Sequence, residues 1–194
     1  MRMRPTVALC ALLLLAGIQA PASAADFKID PSHTSIVFGV SHLGYSYTYG
    51  RFNKINKGVF TLEPGGGSFE IVIDAASVDT ADAKRDEHLR GPDFFNAAQF
   101  PAIMFKSEKV SVKEAEGGSI YTVAGKMTMH GETRPVTLEM RKLGEGQSPF
   151  GDYRAGFLLQ TKLKRSDYGM KSMLEGIGDE VLITISFEGV RQGQ

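Results

Sequence analysis

The chain is poor in the groups that usually announce a chemistry. Its only cysteine among 194 residues is Cys10, so an internal disulfide and a cysteine-based zinc site are both excluded. Tryptophan is absent. Lys plus Arg and Asp plus Glu both total 22, so the basic excess that normally grips a phosphate backbone is missing, and nucleic acid is not expected as a partner. No internal repeat, low-complexity tract or linker interrupts the sequence. Charged residues make up 23% and hydrophobic residues 42%, which suits one globular domain and not a disordered tail or a polytopic membrane protein.

A single long apolar run is present, and it lies at the N-terminus. Arg2 and Arg4 precede an apolar stretch from Thr6 to Ile18 centred on Leu12-Leu13-Leu14-Leu15. Pro21 then leads into Ala22-Ser23-Ala24, the small-x-small pattern that a signal peptidase reads. The run is short for a membrane span. Residues 1–24 are therefore expected to be a signal peptide and residues 25–194 the exported domain. Removal would take away Cys10, Arg2 and Arg4, leaving a cysteine-free chain that depends on its core.

The remainder reads as short strands. Ile36, Phe38 and Val40 share one face, as do Phe69, Ile71 and Ile73. The same alternation returns at Ile103 and Phe105, and at Tyr121, Val123, Gly125, Met127 and Met129. It returns again at Val136, Leu138 and Met140, at Phe157, Leu159, Thr161 and Leu163, and at Val181, Ile183, Ile185 and Phe187. Val59 to Leu62 is a further apolar segment around Phe60. Pro64-Gly65-Gly66-Gly67, Glu116-Gly117-Gly118 and His130-Gly131-Glu132 have hairpin-turn chemistry, and Gly144 to Gly151 reads as a longer polar loop. Sequential hairpins favour an antiparallel meander closed into a barrel, which removes exposed edges. The expected fold is thus all-β: an eight-stranded antiparallel barrel with one short helix. That helix is expected over Ala81 to Arg90, capped by Asp79-Thr80 and stopped by Gly91-Pro92, with Arg85, His88 and Leu89 on one face.

A barrel of this size is either solid or holds one ligand. The Phe and Met residues on the apolar faces suit an adaptable apolar cavity, but periodicity alone leaves both readings open. Catalytic signals are weak. His33, His42, His88 and His130 show no metal-ligand spacing, and there is no G-x-S-x-G elbow. Neither a metal nor a cofactor is expected. An enzyme acting on an apolar substrate, with His42, His88 or His130 as general base, remains a rival reading. A solid barrel serving as an interaction module at a membrane complex is another. The charges at Arg85, Asp86, Arg90 and Asp93 read more readily as pins that hold the helix than as a gate.

Five segments taken in order resemble the YceI family of bacterial exported proteins. They are Asp30-Pro31-Ser32-His33-Thr34-Ser35 with Phe38 to His42; Arg85 to Arg90 with Asp93-Phe94-Phe95-Asn96 and Phe100-Pro101; and Gly125 to Gly131. Arg165 to Met170 and Gly178 to Val181 complete the set. Met127 and Met129 depart from the other aliphatics usual in the family. The resemblance implies a lipocalin-like barrel in the periplasm that holds a long-chain isoprenoid or related lipid. True lipocalins match less well, because their signature tryptophan is missing here. On this reading Phe38, Val40, Phe60, Phe105, Met127, Met129, Phe157 and Leu159 line a tunnel, and Phe94, Phe95, Tyr168 and Met170 lie near its mouth. Peripheral membrane contact and a homodimer are left open by the sequence.

Overall fold

A computed structural model describes residues 24–193; the expected signal peptide falls almost wholly outside the described residues. The alternating segments form eleven antiparallel strands among the described residues. They are β1 (Ala25–Ile29), β2 (Ser35–His42), β3 (Ser46–Phe52), β4 (Ile55–Glu63), β5 (Gly66–Asp74) and β6 (Val78–Asp79). After the helix α1 (Ala83–Arg90) come β7 (Ala102–Lys113), β8 (Ile120–Met129), β9 (Glu132–Gln147), β10 (Tyr153–Lys164) and β11 (Ile177–Arg191).

Eight of these strands close a ring in the order β1-β4-β5-β7-β8-β9-β10-β11, with β1 pairing back onto β11. The expected eight-stranded barrel is therefore present. The other three strands extend from it. The first half of β11 pairs with β2, from Val181 opposite Val40 to Ser186 opposite Ser35, and its second half pairs with β1, from Gly189 opposite Ile29 to Arg191 opposite Phe27. The sheet forks where β11 changes partner. β2 leads on to β3, and β3 pairs with β6 only at Arg51 and Phe52.

Local chemistry explains the corners. At the fork, Asp30 Oδ1 accepts from Ser32 N at 3.0 Å and Oγ at 2.6 Å, and Arg154 Nη1 donates to Asp30 Oδ2 at 2.9 Å. The β8–β9 hairpin turns on His130 and Gly131 alone, both at positive φ, as a primed turn requires. Two sequence expectations change here. Gly144 to Gln147 continue β9, because a bulge at Gly156/Phe157 carries the pairing past the glycines, so the polar loop shrinks. The helix starts later than expected: Asp82, not Asp79, caps it by accepting from Arg85 N, while Asp79 accepts from Ala81 N and holds the turn before it.

The core has two parts. Around β1, β4, β8 and β10, aromatic rings fill the barrel. Phe27 stacks on Phe60 at 4.8 Å, Phe60 meets Phe157 edge-on at 5.5 Å, and Phe157 stacks on Phe187 at 5.3 Å. Tyr121 meets Phe157 edge-on at 5.3 Å. Such pairs add about 0.5–1.5 kcal/mol each beyond area burial. This end is a plug. The other part, with Ile36, Phe52, Ile73, Ile103, Met129 and Met170, surrounds a void.

Candidate functional site

The void is a cavity of about 850 Å³, in the upper part of the range for small-molecule sites. Inward positions of β2, β5, β7, β8, β9, β10 and β11 form its wall, and α1 with the segment after it covers one side. The period of two makes this wall apolar, since each strand sends alternate residues inward. Phe69 and Phe187 belong both to the plug and to the cavity lining, so the plug forms the floor.

Nine of the twelve expected lining residues face this space. Phe38, Val40, Phe105, Met127, Met129 and Leu159 stand on the wall; Phe94, Phe95 and Met170 lie on the covering segments. Three do not. Phe60 and Phe157 point inward as their parity demands, but at the height of the plug, where they are sealed by other rings. Tyr168 is buried beneath the cavity wall, and burial raises its phenol pKa. The cavity also takes in Ile73 and Ile103, Met140, and Ile183 with Ile185. Each shares a face with a residue already read as inward, so parity could have found them.

Polar side chains enter the lining from α1 and also from the strands, at Ser41, Thr48, Glu70, Thr137 and Lys162. Arg85, His88 and Leu89, expected on one helix face, all line the cavity, as does Lys84. Arg85 donates from Nε to Thr80 Oγ1 and from Nη2 to Thr80 O, both at 2.7 Å. The buried Asp86 accepts from Thr80 N at 2.8 Å and from Thr80 Oγ1 at 2.5 Å. Arg90 donates to Ala76 O and Val78 O. Asp86 and Arg90 are thus the pins that hold the helix, whereas Arg85 and His88 face the void.

The two closing motifs meet at Arg165. Only 4% exposed, its guanidinium donates to four carbonyls: Gly178 O, Met170 O, Ser172 O and Ile177 O, at 2.8–3.0 Å. Ser166 N and Oγ donate to Asp179. Burial pulls the Arg165 pKa down from its usual value, with the Asp179 charge opposing that. Arg165 also sits over the Phe94 ring at 5.9 Å, and Phe94 meets His88 edge-on at 5.0 Å.

The histidines divide. His42 and His88 line the cavity, and His88 Nε2 lies 3.1 Å from Asp93 Oδ2. His130 Nδ1 donates to Tyr168 O at 2.9 Å, tying the β8–β9 hairpin to the Arg165 segment. His33 serves the Asp30 corner. No group of three or more His, Cys, Asp or Glu residues is placed to hold a metal ion among the described residues.

The chain resembles known proteins across nearly its whole length. The profile of the YceI-like domain matches residues 27–189. A curated relative, the UPF0312 protein YE1254 of Yersinia enterocolitica, is 43% identical over 186 residues, covering 93% of each chain. Among solved structures, BcnA of Burkholderia cenocepacia superposes with a TM-score of 0.72 at 24% identity, covering 82% of this chain and 98% of that one. A polyisoprenoid binding domain from Saccharophagus degradans, implicated in plant cell wall breakdown, gives 0.64 at 17% identity, covering 85% and 98%. At these identities the two structures speak for the fold alone.

Proposed function

The chain belongs to the YceI-like family, and on that premise we propose that it is a binding or carrier protein, not an enzyme, that holds a long-chain isoprenoid or related lipid in its barrel. The observation that carries this reading is the cavity of about 850 Å³, whose lining is mostly apolar. A void of that size argues against a solid interaction module. Every 100 Å² of tail taken out of water gains about 2.5 kcal/mol, so affinity is attainable without many polar contacts. A barrel of the same fold is described as a polyisoprenoid binding domain, so the fold is compatible with this class of ligand. The N-terminal run ending in Ala22-Ser23-Ala24 supports a periplasmic location, where an insoluble lipid needs a container. Met173 lines the cavity yet is more than half exposed, and Leu43, Tyr45 and Leu174 are exposed on the same two connections. This apolar rim supports peripheral contact with a membrane during loading.

The test is titration of the delipidated protein with a C20 or longer prenyl alcohol, alongside Phe105→Asp and Phe38→Asp. A carboxylate placed on the apolar wall must be desolvated when the tail enters. Each variant that keeps the far-ultraviolet dichroism of the unmodified chain is expected to bind at least about tenfold more weakly, or about 1.4 kcal/mol. Phe38 is only partly buried, so its replacement disturbs the fold less than that of Phe105. Unchanged affinity in both folded variants would overturn the lining, and failure of the unmodified chain to bind would overturn the function.

A further inference from the structure

One stretch of the barrel wall is unsealed. The pairing of β10 with β9 ends at Leu159 opposite Met140. Both strands run on beyond that point, but with other neighbours. β10 pairs with β11 as far as Lys164 opposite Glu180, and β9 pairs with β8 down to Glu132 opposite Met129. Residues 132–139 and 160–164 therefore flank a slot across which neither strand has a ladder partner among the described residues. The slot is a window with two closed ends. The last β9–β10 pairs close one end. Arg134 Nε, donating to Asp167 O at 2.9 Å, and His130 Nδ1, donating to Tyr168 O at 2.9 Å, close the other.

Parity shows that the slot passes through the wall. Val136, Leu138 and Met140 share the inward face of β9, as Leu159, Thr161 and Leu163 share that of β10, so Thr137 and Lys162 belong to the outer face. Both nevertheless line the cavity, and both are exposed to solvent. The register continued from Met140 and Leu159 would set them opposite one another. Outside lies a depression formed by Arg134, Pro135, Lys164 and Asp167, and it shares Val136, Lys162 and Leu163 with the cavity. Inner void and outer surface meet at these side chains.

The sequence disfavours closure of the slot. Bonded and non-bonded pairs alternate along β8 and β9 from Met129 and Glu132, the bonded pair that closes the two-residue hairpin. Pro135 thus falls at a non-bonded pair with Lys126, and its nitrogen faces β10 with no N–H to donate. Lys162 is drawn aside, because its Nζ bonds Glu180 Oε1 at 2.8 Å on β11, the neighbour of β10 away from the slot.

We propose that this slot is a lateral portal through which the apolar tail of the cargo crosses the barrel wall, between Thr137 and Lys162. The proposal rests on the lipid-binding reading above, which names a cargo but no route. Passage here breaks no ladder hydrogen bond, whereas parting any sealed pair of strands would cost several. The connection between β10 and β11 carries both Asp167 of the slot and Met173 of the exposed rim, so portal and rim occupy the same end of the barrel.

The experiment blocks the slot and follows loading. In a Cys10→Ser background, Thr137→Cys supplies the sole thiol; so does Thr122→Cys, at an exposed position of β8 flanked by the plug residues Tyr121 and Val123. Each delipidated full chain takes up radiolabelled geranylgeraniol from phosphatidylcholine vesicles, before and after coupling to fluorescein maleimide. Coupling to Thr137→Cys is expected to slow loading and release alike by at least about tenfold and to leave the equilibrium affinity within about twofold, because a blocked passage hinders both directions equally. Coupling to Thr122→Cys is expected to change neither rate. Lys162→Cys repeats the test from the facing strand if Thr137→Cys loses the far-ultraviolet dichroism of the folded chain. Loading that no label in the slot slows would overturn the portal and leave the lipid reading intact. Weaker affinity with unslowed loading would make the slot a binding surface and also overturn the portal. Equal slowing by the label on Thr122→Cys would overturn the assignment to the slot. Failure of the unmodified chain to take up geranylgeraniol would overturn the lipid-binding reading itself.

Discussion

Asp30 shows how one side chain fixes a topological decision. It sits where β11 changes partner, and its carboxylate accepts from Ser32, His33 and Arg154. Ser32 and His33 hold its pKa well below the usual carboxylate range, with Arg154 adding to the effect. Asp152 is lowered too, chiefly by Arg154, whose own pKa is raised by these partners. The sign follows from linkage. Unfolded Asp titrates near about 3.9, so below about pH 5 the unfolded chain takes up protons that the folded chain refuses. The stabilisation is complete above that value and is lost as pH falls toward the folded pKa. Urea unfolding is therefore expected to show stability dropping on acidification from pH 5 to pH 2. Asp30→Asn should cost about 1.5–3 kcal/mol at pH 7 and flatten that acid slope. An unchanged slope would mean that the corner is not held by ionised Asp30.

At the scale of elements, a missing side chain matters as much as a present one. A Cβ on Gly189 of β11 would lie 2.3 Å from Phe60 Cε1 and 3.2 Å from Phe27 Cβ. The Phe60 ring cannot retreat, because Phe27 and Phe69 stack on it from the two sides. Gly189→Ala is accordingly expected to overpack the plug and cost about 1–3 kcal/mol in chemical denaturation. A neutral outcome would show that the plug is looser than its ring distances imply. The same plug marks the limit of what the sequence reveals. Strand parity put Phe60 and Phe157 on the inner face, which is where they are, but a period of two carries no information about height along the barrel. Whether an inward phenylalanine meets a void or another ring depends on strand register, which is set by pairings as distant as Asp26 with Thr61. The start of α1 was ambiguous for a different reason. Asp79 and Asp82 both cap a backbone N–H, and only the positive φ of Ala81 between them decides which one begins the helix. The role of Arg165 is not legible in sequence, since its carbonyl partners lie on the connection that follows it and on the first two residues of β11, which only the path of the chain brings to its side.

For the whole molecule, the division of labour is between a solid aromatic end and a hollow end. The ring of eight strands supplies rigidity, and the plug anchors it. The fork at Asp30 lets β2 and β3 swing away from β1, giving the hollow end more wall than eight strands alone provide. The helix and the Arg165 segment then cover the side that the sheet leaves open. On the proposed lipid-binding function, apolar burial supplies the affinity, offset by the cost of immobilising a long tail. The measurement closest to this arrangement is mass spectrometry of lipid extracted from the protein purified from its native cells. One long-chain isoprenoid lipid per chain, present in stoichiometric amount, is the expected result. A protein that comes out empty and also refuses added prenyl lipids would contradict a cargo-holding barrel and return the hollow end to the role of an interaction surface.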